Sequence, residues 1–241
     1  LQDRLYLNDG NGFLAEAKDA LPLMRTSTGA VAATDMDQDG DIDLFVGGRL
    51  IPGQYPRAPR SYILRNDGQG QFTDVTTQVA PGLTSIGMVT AALWQDANGD
   101  DTPDLILAGE WMPLTCFTNR DGRLTKQDDF FGPGTEGWWW TLARADLDND
   151  GDQDLIAGNL GQNTNLKVNT DEPTKIYFGD FDDNGAVDPL MTHYIQGKPY
   201  PFVSRDNLFS QLTGLRKVFT SYEAYSEAQI EDILTPDQLE R

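Results

Sequence analysis

One nine-residue stretch decides which fold this chain is predicted to have: Asp146-Leu147-Asp148-Asn149-Asp150-Gly151-Asp152-Gln153-Asp154. Acidic side chains occupy positions 1, 3, 5, 7 and 9 of the stretch, and the glycine at position 6 permits a sharp turn. Carboxylates this close together repel one another unless a cation lies between them. Ca²⁺ accepts about 6 to 8 oxygen ligands in irregular geometry, whereas Mg²⁺ requires a near-ideal octahedron. The stretch therefore predicts a calcium-binding loop, and an acidic surface turn is the alternative.

The same pattern occurs three more times, over residues 35–43, 96–104 and 180–188. Four copies favour calcium binding over an acidic surface turn, because unrelated turns have no reason to repeat one spacing. One copy departs from the pattern by placing Asp101 at position 6. Aspartate enters the left-handed backbone region more readily than most other non-glycine residues, so we expect this copy to keep the turn.

Comparison of the four copies assigns ligand roles to the loop positions. Positions 1, 3, 5 and 9 are always Asp or Asn, which supply side-chain oxygens. Position 7 varies and includes Ala186, so the backbone carbonyl is the one oxygen that all copies share there. Position 12 is apolar in every copy, whereas an EF-hand requires a bidentate Glu there and flanking helices. The predicted ligands are Asp35, Asp37, Asp39, Asp41, Asp43, Asp96, Asn98, Asp100, Thr102, Asp104, Asp146, Asp148, Asp150, Asp152, Asp154, Asp180, Asp182, Asn184, Ala186 and Asp188.

Short apolar runs flank each loop and predict that it connects two β-strands. A plain hairpin with an Asn- and Gly-rich turn alternates with these loops, at residues 5–14, 62–75 and 115–125. The repeating unit is thus four short antiparallel strands. Loops that begin at residues 35, 96, 146 and 180 are spaced by 61, 50 and 34 residues. The first two spacings are typical of a β-propeller blade, whereas the third is short because residues 159–165 replace the plain hairpin.

The loops, together with residues 45–56, resemble the FG-GAP repeat of integrin α-subunit propellers and the related VCBS repeats of secreted bacterial proteins. Residues 137–140, 157–161, 200–202 and 221–222 resemble bacterial propellers similar to cartilage acidic protein. The resemblance implies an all-β propeller, usually seven-bladed, whose calcium loops join the first two strands of a blade and whose role is mostly adhesion or recognition. With four loops, the chain is predicted to be the C-terminal four or so blades of a larger propeller, and the remaining blades are predicted partners.

The C-terminal part of the sequence changes to helical spacing. Apolar residues recur at helical intervals from Asp206 to Val218, Thr220-Ser221-Tyr222-Glu223 is a capping-box pattern, and Pro236 is placed to begin another helix. We therefore predict that residues 1–203 form the blades and that residues 204–241 form a helical insertion or an inter-blade connection.

Composition limits the compartment and the partners. The 241 residues carry a formal net charge of −20, which argues against nucleic acid or an anionic membrane surface as a partner. No run approaches the ~20 apolar residues of a membrane helix. Cys116, the single cysteine, excludes an internal disulfide and is predicted to be buried. Extracellular calcium suits numerous weak sites, so we expect a protein that lies outside the cytoplasm. The resemblance implies a bacterial protein that is secreted, periplasmic or on the cell surface.

Side chains outside the loops give few signals of catalysis. His193 is the one histidine, and the sequence shows no partner that would orient it as a general base. No hydrolase, metalloprotease or phosphate-binding motif is present in the sequence. The Trp138-Trp139-Trp140 run predicts core packing, with an exposed tryptophan that stacks on a sugar as the alternative. A basic recognition site near the Pro-rich turn is a further candidate, formed by Arg57, Arg60 and Arg65.

These observations predict a non-catalytic calcium-binding module that recognises a protein or a glycan. The alternative is the propeller portion of a calcium-dependent polysaccharide lyase or hydrolase.

Overall fold

The computed structural model describes residues 2–161, 164–166 and 168–239. Strands dominate, helices are short, and the predicted all-β class is confirmed. Among these residues no helix is long and apolar enough to cross a membrane. The strands are β1 (Tyr6–Asn8), β2 (Leu14–Glu16), β3 (Ser27–Thr34), β4 (Asp43–Leu50), β5 (Tyr62–Asn66), β6 (Phe72–Asp74), β7 (Met88–Gln95), β8 (Asp104–Met112), β9 (Thr115–Arg120), β10 (Arg123–Gln127), β11 (Gly137–Ala145), β12 (Asp154–Asn159), β13 (Lys175–Gly179), β14 (Asp188–Ile195) and β15 (Lys198–Pro201).

The helices are α1 (Thr76–Val79), α2 (Arg205–Gln211), α3 (Tyr222–Ser226) and α4 (Pro236–Leu239). Single 3₁₀ turns lie at Pro81–Leu83, Thr213–Lys217 and Ile230–Asp232. The change from strands to helices thus falls between Pro201 and Arg205, next to the predicted boundary at residues 203 and 204. Contacts divide the chain differently, into two compact units: Leu1–Ile51 with Arg57–Leu160, and Pro52–Pro56 with Gly161–Arg241.

The first unit contains two complete copies of the predicted four-strand repeat. Strands β3, β4, β5 and β6 form one antiparallel sheet in chain order, and β7, β8, β9 and β10 follow the same order in the next. In each sheet an acidic loop joins the first two strands, and a plain hairpin turn joins the last two. The alternation of acidic loops and plain hairpins along the sequence therefore corresponds to the order of strands within a sheet.

The second strands of these two sheets, β4 and β8, are buried along most of their length. Apolar residues of both sheets form one core, which includes Phe45, Ile63, Leu105 and Phe117. Removing such a side chain from water stabilises the fold by about 1.5–3 kcal/mol. The first strands, β3 and β7, contact each other, so each sheet buries one side against the next. This is the packing that a blade requires, because a single four-stranded sheet cannot bury both faces alone.

The third copy is abbreviated. Strand β11 pairs with β12 over Ala145↔Asp154 to Trp139↔Asn159, and a short stretch of β11 also pairs with β8. Residues 164–166 and 168–174 contain no strand. The segment 159–165, which was predicted to replace the plain hairpin, lies partly outside the described residues, at positions 162 and 163.

The second unit combines a three-stranded antiparallel sheet, β13-β14-β15, with the C-terminal helices. Its core joins Leu190 of β14 to Leu208 and Phe209 of α2 and to Ile230 and Leu234 of the last turns. The helical segment is thus held by apolar burial against a strand of its own unit.

Two helix predictions need correction. The helix predicted from Asp206 to Val218 is interrupted at Leu212, where ψ is 79°, and continues only as a 3₁₀ turn. The N-cap of α3 is Ser221 and not Thr220, because the Ser221 hydroxyl accepts the Ala224 N–H at 3.1 Å. The prediction that a helix begins with Pro236 is confirmed.

Cys116 lies in β9 and is fully buried, as predicted. Burial raises the pKa of its thiol to about 12, so the thiol is protonated and unreactive at neutral pH. The cysteine therefore fills the core of the first unit.

Gly29→Ala tests how closely β3 packs on β7. A methyl group at position 29 would collide with the Val89 carbonyl oxygen, whereas one at Gly82 would meet its nearest neighbour, Phe117 Cε1, at 3.9 Å. We expect Gly29→Ala to lower the free energy of unfolding by about 1–3 kcal/mol in a urea titration, as overpacking does. Gly82→Ala is the control and should change it by less than ~0.5 kcal/mol. Equal losses for the two variants would contradict close packing of the two strands.

Candidate metal sites

Each acidic loop joins the first and second strands of a sheet with the same register. The residue before the loop is the last of the first strand, and position 9 is the first residue of the second strand. These two residues are cross-strand partners in all four copies. The pairs are Thr34↔Asp43, Gln95↔Asp104, Ala145↔Asp154 and Gly179↔Asp188. The loop therefore closes the end of a β-ladder, and position 9 belongs to the loop and the strand at once.

The four loops share a set of hydrogen bonds made by the aspartates at positions 1 and 9. At position 1 the carboxylate accepts the N–H of position 6, at 3.0, 2.8, 3.2 and 2.8 Å in the order of the loops. At position 9 the carboxylate accepts the N–H of position 2, at 3.4, 3.1, 2.8 and 3.0 Å. These bonds connect the start of each loop to position 6 and its end to position 2, and so fix the path of the loop backbone. Charged acceptors make such bonds stronger than neutral ones.

The position 5 side chain adds a third shared bond, because its oxygen accepts the N–H of position 7. The distances are 2.9, 2.9, 3.1 and 2.7 Å in loop order. The last of these uses the Asn184 amide, so a carboxylate is not required for this bond. Each loop is thus a succession of short turns closed by side-chain oxygens.

Left-handed backbone occurs at position 6, as predicted. Gly40, Gly151 and Gly185 have φ of 96°, 100° and 85°, and Asp101 in the departing copy has φ of 63°. Position 4 is also left-handed in every loop, which the sequence analysis did not predict. The residues there are Gln38, Gly99, Asn149 and Asp183, with φ of 61°, 79°, 62° and 57°.

Three of the four loops bring three carboxylates together, with ligand oxygens within 4.8 Å of one another. The first group combines positions 1, 3 and 5, whereas the other two combine positions 1, 3 and 9. The groups are Asp35, Asp37 and Asp39; Asp146, Asp148 and Asp154; and Asp180, Asp182 and Asp188. Such groups can hold a cation. The side chains of Asp41 and Asp152, at position 7, lie outside them, in keeping with the predicted carbonyl role of that position.

The loop over residues 96–104 forms no such group among the described residues. Its position 3 is Asn98, and its position 1 carboxylate is already occupied by backbone donors. Oδ1 of Asp96 accepts the N–H groups of Asn98, Gly99 and Asp100, and Oδ2 accepts that of Asp101. Burial raises the pKa of Asp96, but these backbone bonds outweigh it and leave the pKa below its ordinary value. This loop is therefore satisfied internally to a greater degree than the others.

Other aspartates of the loops have a raised pKa, which means that their ionised form is disfavoured. Burial raises the pKa of Asp43, Asp104 and Asp188, all at position 9, and repulsion from Asp150 raises the pKa of Asp152. A bound cation would favour the ionised form of each. Protons and a cation would therefore compete for these oxygens, so the affinity for a cation should fall as the pH falls.

The plain hairpin turns hold the loops in place in the two complete sheets. Asn66 N–H donates to Asp43 Oδ1 at 2.9 Å, and Asn119 N–H donates to Asp104 Oδ1 at 2.7 Å. The Asn119 side chain also donates to the Met36 carbonyl of the preceding loop at 2.8 Å. The positioning roles of Asn66 and Asn119 were not predicted from the sequence. Their signal was the Asn that begins both turns, at residues 66–70 and 119–122.

Two of the three arginines of the predicted basic site form ion pairs with aspartates of the same unit. Arg60 pairs with Asp74 at 2.8 Å, and Arg65 Nε lies 3.0 Å from Asp37 Oδ2 in the first acidic loop. Arg57 is exposed. The structure therefore does not bring the three side chains into one shared contact.

The tryptophans divide between core and surface. Trp94 is buried in the core, and Trp111 makes an edge-on contact with Trp138, with centroids 4.9 Å apart. Trp140 is 45% exposed, and the Arg49 guanidinium lies 5.8 Å from its ring centroid. Arg49 also bonds Glu110 at 2.6 Å, so this exposed ring is attached to a fixed ion pair. His193 is on β14, which begins at the last residue of the fourth loop.

Two substitutions test the left-handed conformation at position 6: Gly151→Ala removes a glycine there, and Asp101→Gly introduces one. We expect Gly151→Ala to lower the free energy of unfolding by about 1–2 kcal/mol, because alanine is strained at positive φ. Asp101→Gly removes that strain and should leave stability within ~1 kcal/mol of the wild type. Urea titrations in EDTA measure both without a contribution from bound metal. A larger loss for Asp101→Gly than for Gly151→Ala would contradict the assignment.

A comparison with known protein families supports the repeat that the sequence predicted. Residues 96–157 match the model of the FG-GAP-like repeat. The matched segment begins at position 1 of the second loop, spans strands β8 to β11, and ends within β12 after the third loop. No curated protein matches the chain. This chain therefore contains an FG-GAP-like repeat, as its loops and strand order predicted.

Proposed function

We propose that this chain is a calcium-stabilised recognition module of a secreted, periplasmic or cell-surface protein, with protein or glycan as its ligand. One observation carries the calcium part of the proposal. The same nine-residue loop, with the same hydrogen bonds, closes the same pair of strands four times, and three copies gather carboxylate oxygens around one point.

Calcium suits these loops better than other common cations. The side-chain ligands are all oxygens, which excludes a preference for zinc or copper. Asp and Asn side chains on short turns, with one backbone carbonyl at position 7, provide the irregular oxygen cage that Ca²⁺ tolerates and Mg²⁺ does not. The loop over residues 96–104 is expected to be the weakest site, because Asp96 already accepts four backbone N–H groups.

The role of the ion in this proposal is structural. In the third and fourth loops the acidic group includes position 1, which follows the first strand, and position 9, which begins the second. An ion bound there would join the two strands at their shared end. The ion also neutralises carboxylates whose pKa is raised by burial or by repulsion. Because an unfolded loop cannot present this ligand set, the binding free energy becomes folding free energy.

The recognition part of the proposal rests on the FG-GAP-like repeat and on the surfaces that the sheets hold in place. Exposed Trp140, next to the Arg49–Glu110 ion pair, is one such surface. No activity is assigned to the acidic loops, since their carboxylates are proposed to be metal ligands.

Thermal unfolding tests calcium binding. At about 100 times Kd, one site stabilises the folded state by about 2.7 kcal/mol, which is roughly 5–10 °C for a chain of this size. We expect millimolar Ca²⁺ to raise the melting temperature by at least that amount relative to EGTA, and Mg²⁺ to raise it less. No selective rise with Ca²⁺ would contradict the proposal.

Asp148→Ala and Asp152→Ala form a matched pair that tests the ligand roles. Both remove one carboxylate from the same loop, but the Asp148 side chain belongs to the ligand group, whereas position 7 is expected to bind through its carbonyl. We expect Asp148→Ala to weaken calcium binding in a calorimetric titration by at least about tenfold, as for the loss of a charged ligand. Asp152→Ala should weaken it by less. Equal losses would mean that only net charge matters.

An assay of turnover separates the module from an enzyme. The protein with Ca²⁺ is incubated with acidic polysaccharides, and reducing ends and unsaturated products are measured. We expect neither product. Calcium-dependent turnover would replace the proposal with a polysaccharide lyase or hydrolase.

A further inference from the structure

The second unit contains a cleft of about 490 Å³ that none of the acidic loops contributes to. It lies between the β14–β15 hairpin and the end of α3 with the residues that follow. Its volume is within the ~300–1,000 Å³ of typical ligand pockets. The lining residues that matter for its chemistry are His193, Gln196, Lys198, Tyr200, Tyr225 and Glu227.

The hairpin presents one of its faces to this cleft. His193 is the cross-strand partner of Tyr200, and Ile195 is the partner of Lys198. Because side chains two residues apart on a strand share a face, all four lie on the same face of the hairpin. The register of β14 and β15 therefore brings an imidazole, a phenol and an ammonium group together, although the sequence gives no motif for this.

Two aromatic rings of the cleft are held in position by contacts behind them. The Tyr225 hydroxyl donates to the Val203 carbonyl at 2.7 Å, so its ring forms a fixed wall. The His193 ring makes an edge-on contact with Phe202, with centroids 5.2 Å apart. A rigid aromatic surface binds a ligand with little loss of side-chain entropy.

Apart from the hydroxyls of Tyr225 and Ser226, the polar side chains of the cleft have no partners within the described part of the chain. The side chains of His193, Gln196, Lys198, Tyr200 and Glu227 make no hydrogen bond or ion pair there. This contrasts with Arg205 and Asp206 in the same unit, which pair with each other and with Tyr222. The cleft thus offers donors and acceptors whose hydrogen-bonding capacity is available to a ligand.

The charge of the cleft selects the class of ligand. Lys198 and Glu227 carry opposite charges, and burial lowers the pKa of His193, so the imidazole is neutral at pH 7. The cleft itself therefore has no net charge, and the whole chain, at −20, repels polyanions. Aromatic rings that cover C–H faces, combined with donors and acceptors of both kinds, suit a ligand with many hydroxyl groups and no charge.

We propose that the His193–Tyr200–Tyr225 cleft binds a neutral saccharide, which rests on a tyrosine ring while Lys198, Glu227 and Gln196 hydrogen-bond its hydroxyl groups. The inference rests on the proposed recognition function and names the site and ligand class for it. It differs from recognition through Trp140, which lies in the first unit.

The single histidine makes the test specific to this site. His193 is the only source of an imidazole Cε1–H signal in the NMR spectrum, so a change in that signal reports the cleft without further assignment. The calcium-loaded protein is titrated with neutral trisaccharides, namely maltotriose, cellotriose, xylotriose and chitotriose. Trigalacturonate is the charged comparison. We expect at least one neutral trisaccharide to shift the signal with saturation, and trigalacturonate to bind more weakly than it does.

Two matched pairs of exposed residues give the controls. Lys198→Ala and Glu227→Ala alter the cleft, whereas Lys217→Ala and Glu231→Ala make the same changes at residues outside its lining. We expect each cleft variant to weaken binding by at least about tenfold, the effect of removing one hydrogen-bonding charged group. The two control variants should bind as the wild type does, and all four should keep the calcium-dependent rise in melting temperature.

The outcomes separate this inference from the proposed function. If no neutral trisaccharide shifts the His193 signal while calcium still stabilises the protein, the cleft assignment is wrong and the calcium part of the proposed function stands. Preferential binding of trigalacturonate overturns the ligand class. Equal weakening by the cleft and control variants overturns the site. Loss of calcium stabilisation in the wild-type protein counts against the proposed function and is detected independently of the NMR titration.

Discussion

The hydrogen bonds of the aspartate that closes each acidic loop are the interactions on which the sheets depend. Asp43, Asp104, Asp154 and Asp188 begin the second strand of their sheets and accept the N–H of loop position 2. Asp104 is fully buried, and a buried carboxylate is costly unless donors surround it. Each such residue therefore connects the end of a β-ladder to the turn of the loop, and in the third and fourth copies it also belongs to the acidic group.

The features that could be predicted from the sequence are those that require one residue type at a fixed spacing. The alternation of aspartates, the left-handed position 6 and the apolar runs around each loop are local, and the strand order follows from them. Position 4 was missed although Gly99, Asn149 and Asp183 are of types that favour a left-handed backbone, because Gln38 in the first copy is not of such a type. The N-cap of α3 was misplaced by one residue because Thr220 and Ser221 can both cap a helix.

Features that depend on contacts between distant parts of the chain could not be predicted from the sequence. The helix predicted from Asp206 was interrupted at Leu212, whose side chain is buried in the core of the second unit. Packing there outweighs the helical periodicity of the sequence. The cleft around His193 requires both the register of β14 with β15 and the approach of α3, and neither is encoded within a single stretch. Asn66 and Asn119 were recognised as turn residues, but their bonds to Asp43 and Asp104 are formed across the sheet.

The plain hairpin also explains why the acidic groups differ in composition. In the complete sheets, both oxygens of the closing aspartate are occupied, since Oδ2 accepts the loop N–H and Oδ1 accepts the asparagine N–H. That aspartate then stays outside the ligand group, as Asp43 does. In the third and fourth copies the described residues provide no such asparagine, and Asp154 and Asp188 join the groups of their loops. Among the described residues, the closing aspartate thus anchors the neighbouring hairpin in the first two copies and completes the acidic group in the third and fourth. Loops that look equivalent in sequence are therefore expected to differ in metal affinity, because the rest of each sheet decides which carboxylate oxygens remain available to an ion.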